Sequence, residues 1–204
     1  MNNTNLHGKF KEIDNAFIDD VFNAFGPLEE IQNKYGKSDN DTCINEARDA
    51  KVAQILGYTH INTDKHGWDA KNDKEFLEVK QASISSKSLG ATFNDTSIEK
   101  TEEISGGNVA IALAVWSSLK NLLFIVYGNN PNIGDCLKEK IKNSVKNKSI
   151  RPGTQTITLK DLLTKYGFKV KPVNATEEQV SEMLNNKIKS LRKIMPTIPF
   201  VYGA

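Results

Sequence analysis

Over residues 9–25 (KFKEIDNAFIDDVFNAF) apolar side chains recur at helical spacing, with Phe10, Ile13, Phe17, Val21 and Phe25 on one face. Gly26-Pro27 is expected to end that helix. A second helix is predicted from Asp41 or Thr42 to Leu56, with Ile44, Ala47, Val52, Ile55 and Leu56 as its apolar stripe and Gly57 at the place of a C-cap glycine. The period then shortens. Tyr58 to Thr63, His66 to Ala70 and Glu75 to Gln81 are expected to be three short strands separated by polar turns. Residues 82–107 are rich in Ser, Thr and Gly with weak periodicity, and are expected to be a long excursion ending at Gly106-Gly107. Val109 to Trp116 and Leu122 to Tyr127 are nearly continuous apolar runs joined by the turn 117–120, as expected of central strands in a sheet covered on both faces. Helices follow at 131–147, at 159–166 and from Thr176 to about Ile194, the last opened by the capping-box pattern Thr176-Glu177-Glu178-Gln179. The chain shows no internal repeat, coiled coil or low-complexity tract. The predicted fold class is α/β, a mixed central β-sheet flanked by helices.

Composition changes this picture little, and charge changes it more. With 204 residues, 38% hydrophobic and 25% charged, the chain has the material for one domain with a real core. Cys43 and Cys136 are too few for a disulfide scaffold and match no zinc spacing, so both are expected to be reduced thiols. No apolar run approaches the roughly 18 residues that span a bilayer. Met1 to Gly8 is polar, unlike a signal or transit peptide, and the expected location is the cytoplasm. The net charge of +2 conceals an asymmetry: residues 1–50 carry −5, residues 51–119 carry −2 and residues 120–204 carry +9. A basic C-terminal part on an otherwise acidic chain suggests a surface for a polyanion, although Lys-rich helix faces also arise as plain solvated surface.

The stretch that carries chemistry is Trp68-Asp69-Ala70 followed by Phe76-Leu77-Glu78-Val79-Lys80-Gln81. Alternate side chains of a strand share a face, so Phe76, Glu78 and Lys80 are expected on one side, with Leu77 and Val79 turned into the core. If this strand pairs with the preceding one through Lys71-Asn72-Asp73-Lys74, centred between Asp73 and Lys74, then Asp69 and Glu78 become cross-strand partners. Their Cβ atoms would lie roughly 4.5–5.5 Å apart, or roughly 7–8 Å apart as diagonal neighbours if the centre shifts by one residue. Two adjacent carboxylates repel unless a cation lies between them, and Mg²⁺ suits a few carboxylate oxygens plus waters. Such an ion polarises a phosphate and acidifies a bound water. Lys80, on the same face, can orient that water, stabilise the charge developing on the phosphate, or act as a base.

Asp69, eight intervening residues and then Glu78-Val79-Lys80 resembles the pattern of the PD-(D/E)XK nuclease superfamily, in which most type II restriction endonucleases and several junction resolvases and repair nucleases are found. The resemblance covers about residues 42–127, with Trp68 in place of the proline of the family's name. It implies a restriction-endonuclease-like sheet, with Asp69, Glu78, Lys80 and Glu46 as catalytic residues. Glu46 enters by its place in the helix before the first acidic strand. It also implies a metal set of Asp69, Glu78 and Val79, and Mg²⁺ as cofactor with Mn²⁺ as substitute. An acidic-x-Lys triplet is common by itself, and Asp49-Ala50-Lys51 and Asp69-Ala70-Lys71 are two others here. The order helix, Asp strand, polar turn and Glu-x-Lys strand is what makes this one informative.

The expected organisation is one nuclease domain over 1–204, with a catalytic core at about 42–127 and a basic helical part at about 128–204. Gln81, Ser83, Asn94, Lys142, Lys146 and Arg151 are candidate DNA contacts. Asn pairs bidentately with adenine and basic side chains track phosphates, but strand-end caps, an Asx turn and ordinary helix surface account for the same residues. His60 and His66 lack partners for a zinc or HNH-like site and are expected to be loop or edge residues. The leading function is a type II restriction enzyme, a homodimer cutting double-stranded DNA at a short symmetric site, with a cognate DNA methyltransferase as functional partner. The alternatives are a junction-resolving or repair nuclease that reads shape, and a DNA-binding module that cleaves nothing.

Overall fold

The computed structural model describes residues 14–35, 42–61 and 67–201. The centre is a six-stranded sheet in the order β1-β2-β3-β5-β6-β8. These strands are β1 (Thr59–His60), β2 (Ala70–Lys71), β3 (Phe76–Ser83), β5 (Val109–Trp116), β6 (Leu122–Gly128) and β8 (Lys169–Pro172), and a separate two-stranded sheet joins β4 (Gly90–Phe93) to β7 (Gln155–Thr158). β3 and β5 run parallel while the other pairs are antiparallel, so the sheet is mixed. Among the described residues there are seven helices: α1 (Asn15–Tyr35), α2 (Thr42–Leu56), α3 (Ile98–Ser105), α4 (Asn132–Lys146), α5 (Leu159–Thr164), α6 (Glu177–Lys187) and α7 (Leu191–Ile194). The predicted α/β class with a mixed central sheet holds. None of these helices is long and apolar enough to cross a membrane.

Every residue of β5 is buried, as its unbroken apolar run requires of a strand covered on both faces. On one face Val52 and Ala53 of α2 pack with Leu77, Val79, Ala110, Ala112 and Trp116. On the other, Phe93, Ile104, Leu137, Leu162 and Val180 pack on Ile111, Leu113 and Val126. α1 lies outside α2, where Phe25 meets Ile44, Ala47 and Leu119.

Several boundaries differ from expectation. α1 does not stop at Gly26-Pro27 but runs through Pro27 to Tyr35, at the cost of one main-chain hydrogen bond. Positions 9–13 of the expected helix, with Phe10 and Ile13, lie outside the described residues, as do Thr63 and His66 of the expected strands. The excursion 82–107 is not irregular: β3 extends to Ser83, β4 occupies 90–93 and α3 occupies 98–105, capped by Ser97 accepting from the Lys100 N–H. The final helix breaks into α6 and α7, although the Thr176 capping box forms as expected. The part after residue 128 is not purely helical, since β8 is the edge strand of the main sheet and β7 pairs with β4. Gly57 closes α2 at φ +78°, in the left-handed region where glycine is favoured.

Gly134 of α4 sits so close to α3 that a Cβ there would collide with both Thr101 O and Ser105 Oγ. The same helix pair is tied by Ser105 Oγ donating to Asp135 Oδ1 at 3.0 Å and by the Lys138–Glu102 ion pair at 2.6 Å.

Candidate active site

The β2–β3 hairpin is centred as the sequence suggests, with Ala70 opposite Leu77 and Lys71 opposite Phe76. Asn72 sets the turn. Its N–H donates to Glu75 O at 3.0 Å, and its Oδ1 accepts the N–H groups of Lys74 and Glu75 at 2.8 and 2.9 Å. Asp69, just before β2, still donates its N–H to Leu77 O at 3.1 Å, so it is not paired with Glu78 in the ladder. On the far side of β3, the Phe76 N–H reaches Asn108 O and the Ile84 N–H reaches Trp116 O. Even-numbered residues of β3 therefore turn their main-chain groups toward β5, and odd-numbered ones, Val79 among them, turn theirs toward β2. Because β2 stops at Ala70, the Val79 N–H donates instead to Asp69 Oδ2, at 2.6 Å.

Glu78 is only 3% exposed. Its Oε1 accepts from Lys80 Nζ at 2.5 Å and from Lys100 Nζ at 3.2 Å. Oε2 lies 3.1 Å from Lys100 Nζ yet accepts no hydrogen bond. The Lys80 ammonium also rests 5.4 Å from the Phe93 ring centre, and that of Lys100 rests 4.6 Å from the Trp68 ring centre. Trp68 Nε1 in turn donates to Glu103 Oε2 at 3.2 Å. α3, hidden in the supposed excursion, thus delivers a second lysine to the motif glutamate. Sequence reasoning missed it because only the tertiary packing of 98–105 brings it near.

The carboxylate that α2 contributes is Asp49. It accepts from Gln81 Nε2 at 2.7 Å, and Gln81 also donates to Asn45 O at 3.1 Å. Asp49 interacts electrostatically with Asp69, Lys80 and Glu78. Glu46, the residue expected in this role, is exposed, and the described contacts do not bring it to the cluster. The two positions lie three residues apart, on the same broad side of the helix, and it is Asp49 that Gln81 holds. The Asp49-Ala50-Lys51 triplet was the available signal, and it reads as background until the helix is docked. Docking is enforced by Arg48, itself 5% exposed. Its Nε donates to Leu119 O at 2.9 Å and its Nη2 to Ser118 O at 3.0 Å, while the guanidinium stacks 4.6 Å from the Trp116 ring centre.

Burial and neighbouring carboxylates disfavour the charged forms of Asp69 and Asp49. Burial, then Glu78, pushes Asp69 up to about 6. Burial, then Asp69, holds Asp49 well above the usual carboxylate range. Burial acts to strip the proton from Lys80, but Glu78 and Asp69 outweigh it and hold its pKa above the usual lysine value. Lys80 is therefore an ammonium in this site. Among the described residues no three His, Cys, Asp or Glu side chains form a ready metal-binding group, and the space beside Glu78 is taken by the two lysines.

The outlying candidates do not join this cluster. Gln81 is half-buried and spent on α2, so it positions Asp49. Ser83 is exposed and bonded to Ser85 Oγ at 2.7 Å. Asn94 is exposed after β4, in a loop fastened to the turn carrying Arg151 by Thr96 N–H donating to Gly153 O at 3.0 Å. Lys142, Lys146 and Arg151 are exposed on α4 and the turn after it. His60 lies in β1, half-buried, and burial lowers its pKa. Cys136 is a free, half-buried thiol.

No protein-family model matches the chain, and no curated protein is significantly similar to it.

Proposed function

We propose that this chain is a divalent-metal-dependent endonuclease hydrolysing phosphodiester bonds of double-stranded DNA, of the PD-(D/E)XK type that its motif resembles. One observation carries the reading: Asp69, Glu78 and Lys80, with Asp49 from α2, converge where β2 ends and leaves β3 unpaired. The donor chemistry fits Mg²⁺ or Mn²⁺, since Asp69 and Glu78 offer hard carboxylate oxygens and the Val79 carbonyl turns toward the same edge. Glu78 is buried with two ammonium groups drawn to its oxygens, and burial together with Glu78 raises Asp69, the pattern of a site that attracts positive charge.

Asp69, Glu78 and the Val79 carbonyl would hold the ion, with Asp49 behind them. When bound, the ion supplies phosphate polarisation and an acidified water at neutral pH. The Val79 N–H fixes the orientation of the Asp69 carboxylate. Lys80 brings an ammonium that is already protonated, and so stabilises negative charge developing on the phosphate in preference to accepting a proton. Gln81 holds Asp49 from α2.

Within this class we favour a type II restriction enzyme acting as a homodimer alongside a cognate methyltransferase, because 204 residues leave chain for base reading and dimerisation beyond a minimal core. The test is digestion of long linear DNA with Mg²⁺. Discrete fragments identify a sequence-reading enzyme. A smear, or cutting confined to branched substrates, identifies a shape-reading resolvase or repair nuclease. Tight DNA binding without any cleavage identifies a non-catalytic module.

A further inference from the structure

Glu78 is held by two lysines from different elements, and only one of them belongs to the motif. Lys80, on the same strand, lies 2.5 Å from Oε1. Lys100, from α3, straddles the carboxylate, 3.2 Å from Oε1 and 3.1 Å from Oε2. That straddling position is the one a cation takes when it approaches both oxygens of a carboxylate. The Lys100 ammonium has a second resting place within reach, because the Trp68 ring face lies beneath it at 4.6 Å. Trp68 is itself fastened to the same helix through Glu103, three residues on from Lys100. An ammonium on a flexible four-carbon stem exchanges between a carboxylate and an aromatic face without moving its helix.

We propose that Lys100 is the resident cation of the resting site: its ammonium occupies the Glu78 carboxylate until a divalent ion takes that place, and it then stays on the Trp68 ring facing the substrate phosphate. The inference rests on the metal-dependent reading above. It assigns Lys100 a double role, as competitor of the metal before binding and as a phosphate-contacting cation afterwards.

The experiment is a Mn²⁺ titration of the full chain without DNA, at one pH, followed by electron paramagnetic resonance of the free ion. It compares wild type with Lys100→Gln, Lys100→Met, Lys100→Arg and Glu78→Gln, each checked for an unchanged thermal melt. Lys100→Met keeps an apolar stem against Trp68 should the glutamine variant fold poorly. Lys100→Gln or Lys100→Met should bind Mn²⁺ about tenfold more tightly than wild type, the effect of removing one charge-assisted contact from the competing state. Lys100→Arg should bind like wild type. Under saturating Mg²⁺ the neutral variants should show a raised KM for DNA. Equal Mn²⁺ affinity in wild type and the neutral variants overturns the role of Lys100 alone. Absence of Mn²⁺ binding in every protein, or wild-type binding by Glu78→Gln, overturns the metal-site reading and this proposal with it.

Discussion

Asp69 Oδ2 accepts the Val79 N–H at 2.6 Å, on the side of β3 from which β2 has withdrawn. The carboxylate thus ends a strand ladder and occupies the proposed metal site at once. An asparagine can make the same hydrogen bond, so the two jobs can be separated by substitution.

Asp69→Asn, Glu78→Ala and Lys80→Ala should each lower cleavage by orders of magnitude with the fold intact. Asp49→Asn should do the same to a lesser degree, while Glu46→Ala should cut at close to the wild-type rate, because Glu46 is exposed and outside the cluster. Rates on one plasmid substrate decide this. Near-normal activity in Glu78→Ala would remove the catalytic assignment altogether.

Cleavage should cease in excess EDTA and return with Mg²⁺ or Mn²⁺. Ca²⁺ should support DNA binding without turnover, since its looser coordination positions an attacking water poorly. Gel shift and digestion in the same buffers test both halves. Full activity in EDTA contradicts the mechanism.

The metal-free protein should also respond to pH through Asp69. Its folded pKa is raised to about 6, by burial first and Glu78 second, whereas an unfolded Asp titrates near ~3.9. A raised folded pKa means stability that is present below the unfolded value and lost as pH climbs through the folded value. Between roughly pH 4 and pH 7 this one group should cost the apo protein about 2–3 kcal/mol. Asp69→Asn removes that loss, so its melting temperature relative to wild type should rise across the window. A constant difference would show that Asp69 titrates normally.

Arg48→Ala should destabilise the fold by about 2–3 kcal/mol, because it strands the Leu119 and Ser118 carbonyls and uncovers Trp116. As the anchor of α2 it should also impair cleavage, measurable where chemical denaturation shows the variant still folded.

Exposed Lys142, Lys146 and Arg151 are proposed to touch phosphates, so their joint replacement should flatten the dependence of DNA affinity on salt by roughly one unit of slope for each charge replaced. An unchanged slope places the footprint elsewhere.

Legibility in the sequence followed the strength of the periodic signal. β5 and β6 were plain because an unbroken apolar run has few other homes, and the hairpin centre between Asp73 and Lys74 followed from the polar turn, although Asp69 meets Leu77 O and the Val79 N–H and is not paired with Glu78. α3 and β4 were not, since eight and four residues with so few apolar positions carry too little periodicity to read before they pack on α4 and β3. Lys100 was hidden with them. Asp49 was hidden differently: the helix was correctly bounded, but which side faces the sheet depends on Arg48, whose burial no apolar stripe announces. β8, only four residues long with two lysines, carries too little pattern to stand out before β6 is there to receive it.

The close approach at Gly134 has a mechanical meaning. With no room for a methyl group between α4 and Thr101 and Ser105 of α3, and an ion pair and a hydrogen bond fastening the same two helices, α3 and α4 travel as one body. Any side chain at position 134 must push the two helices apart, so a saturation library scored for folding should keep only glycine there.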